Sequence, residues 1–234
     1  MNAIILCGGL STRLGDIARQ VPKVLLPIKG RTVLEWQLKK LQRLGVDTVV
    51  LAAGHLADVL GREVGDEYAG VKIRYAVEPE RLGTGGAIKY AWQFVDHPHV
   101  PTIVCNGDVL TSTDIAHLLG HLRPDSQGII LGSRVEDSAP YGTLEYDQRG
   151  RLRAFREKEG KRQPGYINAG VYLLTSRAQE LFPDRAHFSI EYDVFPFLED
   201  LDVYASDEPW IDIGVPERLA WAQEHWPEEA EKLS

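Results

Sequence analysis

Two cysteines, one methionine and no long apolar run mark this sequence of 234 residues. Cys7 and Cys105 lie far apart, each closing an apolar run, with no CxxC or Cys/His ligand spacing. That pattern excludes a disulfide framework and a structural metal centre, and predicts two buried, reduced thiols. No apolar stretch approaches the roughly 18 residues of a membrane span. No basic segment precedes the short apolar run at the N-terminus, so no signal peptide is expected. The expected setting is cytoplasmic, with no membrane partner. An excess of positive charge is also missing, with 26 Lys and Arg against 34 Asp and Glu and a net charge of −8. Nucleic acid is therefore not expected as a partner, because phosphate backbones are bound by clustered cations. A small anion in a locally basic pocket remains allowed.

Familiar catalytic signatures are lacking too. The chain has neither GxxxxGK[ST] nor GxGxxG after its first apolar run. A dinucleotide fold also wants an acidic residue about 20 positions past its glycines, at the end of the second strand. Here that end reads Ala52-Ala53-Gly54-His55, which disfavours an NAD-dependent oxidoreductase. The seven histidines show no patterned Ser/His/Asp or Cys/His arrangement.

What is present is alternation. AIILC, DTVVLAA, VKIRYAV, PTIVC and GIILGS read as strands, separated by amphipathic stretches such as TVLEWQLKKLQRL, HLADVLGREV and GGAIKYAWQFV. This predicts a single α/β domain over 1–234, with a Rossmann-like, mixed but mostly parallel sheet. Leu34, Leu38 and Leu41 share one helix face, which should pack on that sheet. From Tyr141 onward strands follow one another directly, with a hairpin turn expected at Gln148-Arg149-Gly150 and a final helix opening at Pro216. The last residues, PEEAEKLS, read as a frayed end.

Ligands of open α/β sheets sit beyond the carboxyl ends of the strands. Gly8-Gly9 lies at such an end, where bare backbone amides can form a nest for an anion, and Arg13 can grip that anion bidentately. Pro22 fixes a bend that aims Lys23 back over the glycines. Gly83-Thr84-Gly85-Gly86 opens a helix with so many glycines that something must approach its backbone closely, and a flat base would explain them. Asp108 and Asp212 end two further strands. A pair of hard carboxylates converging with phosphate oxygens is the usual way to hold Mg²⁺.

Taken together GGLSTRL, Pro22-Lys23, EPERLGTGGA, NGD, YGTLE, FREKE, YINAGVYLL and WIDIG occur in the order, and over nearly the whole length, of the sugar-phosphate nucleotidyltransferases, which this sequence resembles. LGTGGAI, FSIEYDVFP and WIDIGVPERL look most like the guanylyltransferases acting on D-glycero-α-D-manno-heptose 1-phosphate. Mannose-1-phosphate guanylyltransferases and the uridylyltransferases of N-acetylmuramate 1-phosphate share many of the motifs. The resemblance implies the nucleotide-diphospho-sugar transferase fold, and Mg²⁺-dependent transfer of a nucleoside monophosphate from an NTP to a sugar 1-phosphate. It further implies that Gly8, Gly9, Ser11, Thr12 and Arg13 cradle the triphosphate, with Leu6 and Gly107 beside it. Lys23 would lie on the phosphate under attack, and Glu78, Gly83, Thr84 and Gly85 would face the base. Gly142, Glu157, Lys158 and Asn168 would line the sugar-phosphate pocket, with Lys158 on its phosphate, and Asp108 and Asp212 would hold the metal. Ser11 departs from the glycine usual in the family's GGxGTR. A non-catalytic sugar-nucleotide sensor is the rival class, but such a protein would lose Lys23 or an aspartate, and this chain has them all. The family uses several oligomeric states, so a homo-oligomer is allowed.

Overall fold

The computed structural model describes residues 1–9, 12–156, 160 and 162–227. Ser11, Glu157, Lys158 and most of the C-terminal PEEAEKLS lie outside the described residues. The main sheet runs in the order Leu152–Arg156, Thr143–Tyr146, Gly165–Leu174, Thr102–Asn106, Asn2–Leu6, Thr48–Ala53, Val71–Val77, Glu67–Tyr68. Gly128–Val135 also pairs with Gly165–Leu174 and carries Leu201–Ser206 beside it. The four strands from Thr102–Asn106 to Val71–Val77 are parallel to one another. The central ones are covered on both faces, which is why AIIL, VVLAA and IVC are apolar throughout and do not alternate.

The change of character after Tyr141 corresponds to the antiparallel half. Thr143–Tyr146 and Leu152–Arg156 form the predicted hairpin, with Gly150 at a φ of 80°. The Asp147 carboxylate closes the turn by accepting from the backbone N–H of Arg149 and Arg151. The strand Gly165–Leu174 breaks register between Asn168 and Tyr172. Its last residues pair with Thr102–Asn106, while Ile167 meets Thr143, so one strand joins the two halves.

Leu34, Leu38 and Leu41 do pack on the sheet, as their spacing predicts. The helix Val33–Arg43 is nevertheless covered on a second side. Val33 and Trp36 join Ile28, Ile211, Leu219 and Trp226 in a separate cluster under the helix Pro216–His225. Lys40 is half-buried and donates to the Thr113 carbonyl at 2.8 Å. Burial lowers its pKa to about 8.

Both thiols are free and buried, as expected. Burial pushes Cys105 up to about 12 and Cys7 higher still. Only thiolate reacts with a disulfide reagent. An aromatic disulfide reagent at pH 8 should therefore label neither cysteine in the native protein and both after denaturation. Rapid labelling of either one without unfolding would contradict this burial.

Candidate active site

The carboxyl ends of the parallel strands place Gly8-Gly9, Glu78, and Gly107-Asp108 in adjacent loops, around a cleft of about 310 Å³. Leu6, Lys23, Arg81, Leu82, Gly83, Thr84 and Asn106 complete its wall. Glu78 follows Val71–Val77 and turns its carboxylate over the first loop. A Cβ on Gly8 would lie 2.7 Å from Glu78 Oε1, so the bare backbone here makes room for that carboxylate. The other oxygen accepts from the Leu82 N–H at 3.2 Å. Half-burial raises the Glu78 pKa, against the opposing pull of the Leu82 N–H and of Arg81.

A second and larger hollow, about 860 Å³, opens on the antiparallel side. Tyr141, Gly142, Phe155, Asn168, Glu191, Trp210 and Arg218 are among its walls. It shares Thr84, Asn106 and Asp108 with the smaller cleft, so the two cavities meet at these residues. Asn168 is fixed there, its Nδ2 donating to the Tyr172 hydroxyl and its Oδ1 accepting from the Gly170 N–H, each at 3.0 Å.

Asp108 and Asp212, 104 positions apart in sequence, are brought together at the junction. Trp210–Asp212 pairs antiparallel with Val109–Thr111, placing Asp212 opposite Val109, and the Ile213 N–H donates to the Asp108 carbonyl at 2.9 Å. Each carboxylate carries a cation. Lys23 Nζ is 2.8 Å from Asp108 Oδ2, and Arg218 Nη2 is 2.7 Å from Asp212 Oδ1. The Arg218 guanidinium also lies over the Tyr141 ring, and burial together with the Asp212 charge pushes the Tyr141 phenol up to about 12. Among the described residues no third His, Cys, Asp or Glu completes a metal-binding group with them. Two hard carboxylates at the junction of two clefts nevertheless fit Mg²⁺. That ion keeps several waters and uses one or two carboxylates plus phosphate oxygens.

Most of the residues singled out from sequence converge here, with three differences. Arg13 lines the larger hollow, its Nη2 3.0 Å from where a Cβ on Gly214 would sit, and is not among the residues around the Gly8-Gly9 cleft. Thr12 is exposed and lines neither cleft. The glycines at 83 to 86 have a different cause from the one expected. Gly83 has a φ of 73°, and the Phe188 carbonyl accepts from the N–H groups of Gly85 and Gly86 at 3.0 and 3.2 Å. Their close neighbour is the chain's own segment 186–190. Only Gly83 and Thr84 face the small cleft, while Gly85 is buried under the Phe188 ring.

Sequence reasoning passed over Asn106, Tyr141, Glu191 and Arg218. Three lie inside quoted motifs, NGD, FSIEYDVFP and WIDIGVPERL, and Tyr141 opens YGTLE. The motifs held the signal, but each of these residues alone reads as an ordinary turn or surface residue.

The nucleotidyl transferase family model matches residues 2–229. This chain belongs to that family. It is 37% identical over 219 residues to the D-glycero-α-D-manno-heptose 1-phosphate guanylyltransferase of Campylobacter jejuni, covering 93% of this chain and 96% of that one. It is 33% identical to the enzyme of that name from Aneurinibacillus thermoaerophilus, covering 95% and 97%. The crystal structure of HddC from Yersinia pseudotuberculosis complexed with GMP-PN superposes with a TM-score of 0.83 at 32% identity, covering 97% of this chain and 99% of that one. The mixed, mostly parallel fold of the nucleotidyltransferases expected from the sequence is therefore the one found.

Proposed function

We propose that this protein transfers GMP from GTP to a sugar 1-phosphate, with D-glycero-α-D-manno-heptose 1-phosphate as the favoured acceptor, and releases pyrophosphate. The observation that carries the reading is the meeting of two clefts at Asp108, in a chain matched end to end by heptose 1-phosphate guanylyltransferases. Identity favours heptose over mannose, at 37% to the heptose enzyme of Campylobacter jejuni against 33% to the mannose-1-phosphate guanylyltransferase of Mycobacterium tuberculosis.

The nucleotide takes the small cleft, its phosphates toward Gly8, Gly9 and Lys23 and its base toward Glu78. The sugar phosphate takes the larger hollow. A sugar 1-phosphate is already anionic at neutral pH, so its oxygen attacks the α-phosphorus without a general base. A phosphorus–oxygen bond to the sugar phosphate forms, the bond to the β-phosphate breaks, and pyrophosphate leaves with the electron pair. The barrier is the approach of two polyanions, because unit charges about 4 Å apart repel by about 4 kcal/mol at an effective dielectric of 20. Lys23 and Arg13 lower it, and Lys158 joins them in this reading. Asp108 and Asp212 would hold Mg²⁺, which would supply positive charge against that of the two polyanions. These substrates place the reaction in the cytoplasm.

The deciding experiment is a matrix of four NTPs against mannose, heptose, glucose and N-acetylmuramate 1-phosphates, read by pyrophosphate release. GTP with the heptose should give the highest kcat/KM. Release with UTP and N-acetylmuramate 1-phosphate alone would overturn the assignment.

Guanine presents N1–H and its 2-amino group side by side, and a carboxylate accepts both, whereas uracil offers only one such donor. Glu78→Ala should therefore raise KM for GTP about tenfold more than it changes any residual use of UTP. Equal losses for both would remove Glu78 from base selection.

A further inference from the structure

We propose that Glu191 reads the hydroxyl pattern of the acceptor sugar, an inference that rests on the larger hollow being the sugar site. The side chain stands in the wall of that hollow, in a closed ring of hydrogen bonds. The Ile190 N–H donates to Thr84 Oγ1 at 3.1 Å, and the Thr84 hydroxyl donates to Glu191 Oε2 at 2.6 Å. From the other side the Tyr192 N–H donates to Ser189 Oγ at 3.4 Å, and the Ser189 hydroxyl donates to the same Oε2 at 2.6 Å. Each hydroxyl is thus committed as both acceptor and donor, which fixes the direction of both protons. Oε2 is fully engaged, and Oε1 has no hydrogen-bond partner among the described residues.

A carboxylate in a hollow that must receive a phosphate needs a reason, because it repels that phosphate. A carboxylate can only accept, so its ligand must donate. Among the groups the two substrates bring, the donors are sugar hydroxyls, ribose hydroxyls and the edge of the base. Glu191 belongs to the larger hollow and not to the small cleft that holds Glu78, which assigns it to the acceptor sugar. Its rigidity matters for selectivity, since an acceptor held in place before substrate arrives rejects a sugar that lacks the matching hydroxyl. The contact with Thr84, which lines both cavities, also ties the sugar wall to the start of the helix Gly83–Ala91.

Two substitutions separate recognition from support. Glu191→Gln can keep an acceptor on Thr84 and Ser189, while its amide nitrogen replaces Oε1 and turns the free acceptor into a donor. Thr84→Val breaks the ring and leaves the carboxylate. Pyrophosphate release is measured with heptose and mannose 1-phosphates and with a set of monodeoxy mannose 1-phosphates.

Glu191→Gln and Glu191→Ala should each raise KM for the sugar 1-phosphate about 20-fold, as expected for a lost charged hydrogen bond, and leave KM for GTP within about twofold. One deoxy analogue should be poor for the native protein yet no worse than its parent for Glu191→Gln, and Thr84→Val, which loosens the carboxylate without removing it, should raise the sugar KM less and narrow the gap between parent and deoxy sugar. A normal sugar KM in Glu191→Gln would overturn the proposal, as would a rise confined to GTP, which would mark Glu191 as a ribose ligand. Inactivity of the native protein with every pair would overturn the functional reading and this inference together. Activity in the native protein with unchanged Glu191 variants would overturn this inference alone.

Discussion

Alanine at Lys23 or at Asp108 should each lower turnover roughly 100-fold or more, about 2.7 kcal/mol in the activation barrier, while the protein stays folded. The two residues form one ion pair, with side chains 14% and 25% exposed at the wall of an open cleft. The desolvation cost of such a mostly buried pair offsets most of its attraction, and the open cleft lets water reach the partner left behind. Its weight falls on the reaction. In the proposed reaction Lys23 would offset charge on the phosphate under attack and Asp108 would contribute to the metal site, so neither loss could be supplied by the other. The pairing has a second, separable consequence. Lys23 therefore competes with any divalent ion for Asp108. Calorimetric titration without nucleotide should therefore show tighter Mg²⁺ binding in Lys23→Ala than in the native protein, and weaker binding in Asp108→Ala. Near-native turnover in either folded variant, or unchanged Mg²⁺ affinity in both, would remove these roles.

Gly86→Ala should be the most damaging small change to stability, costing about 3 kcal/mol or more. A Cβ at Gly86 would sit 2.0 Å from the Ala186 carbonyl oxygen, a backbone atom that no rotamer change can move aside. Alanine would ordinarily gain about 1 kcal/mol over glycine inside a helix, so the steric term must overcome that gain as well. For a domain of this size the expected fall in Tm is about 6–12 °C. Gly61 supplies the control. It lies within the helix Ala57–Val64 with nothing near its missing Cβ, so Gly61→Ala should raise Tm. A Gly86→Ala protein as stable as the native one would show that the segment 186–190 can move away without cost. The site would register a displacement there too, because that segment leads directly into Glu191.

The same contact shows where reading the sequence reached its limit. The glycines at 83 to 86 correctly announced a close approach to a helix start, but a sequence gives the need for space without naming the occupant. A base was the natural candidate, whereas the occupant is Phe188, about a hundred positions further along. Arg13 behaves similarly. Its place four residues after Gly9 suggested a shared grip on one anion, yet the chain carries it into the larger hollow, beside Gly214. Glu191 was invisible for another reason. Its meaning lies in a ring with Thr84 and Ser189, and only Ser189 is near it in sequence. Gly8 and Asp108 were legible because a parallel sheet delivers the residues after its strands to one edge whatever the details of packing, whereas Lys23 was read from the bend at Pro22 and Glu78 from the family resemblance.

By itself the sequence determined the elements and their class, through local forces: apolar periodicity, turn chemistry, a proline at a helix start, and loops that end parallel strands. Charge and missing motifs, which are properties of the chain alone, argued against several classes of partner and chemistry. The tertiary structure alone decided the pairing of Trp210–Asp212 with Val109–Thr111 that sets Asp212 beside Asp108. It also decided the packing of segment 186–190 on the helix Gly83–Ala91 and the joining of two clefts at Thr84, Asn106 and Asp108. These contacts link residues about a hundred positions apart. They depend on which surfaces fit once the core has closed, and local preference along the chain carries no record of that fit.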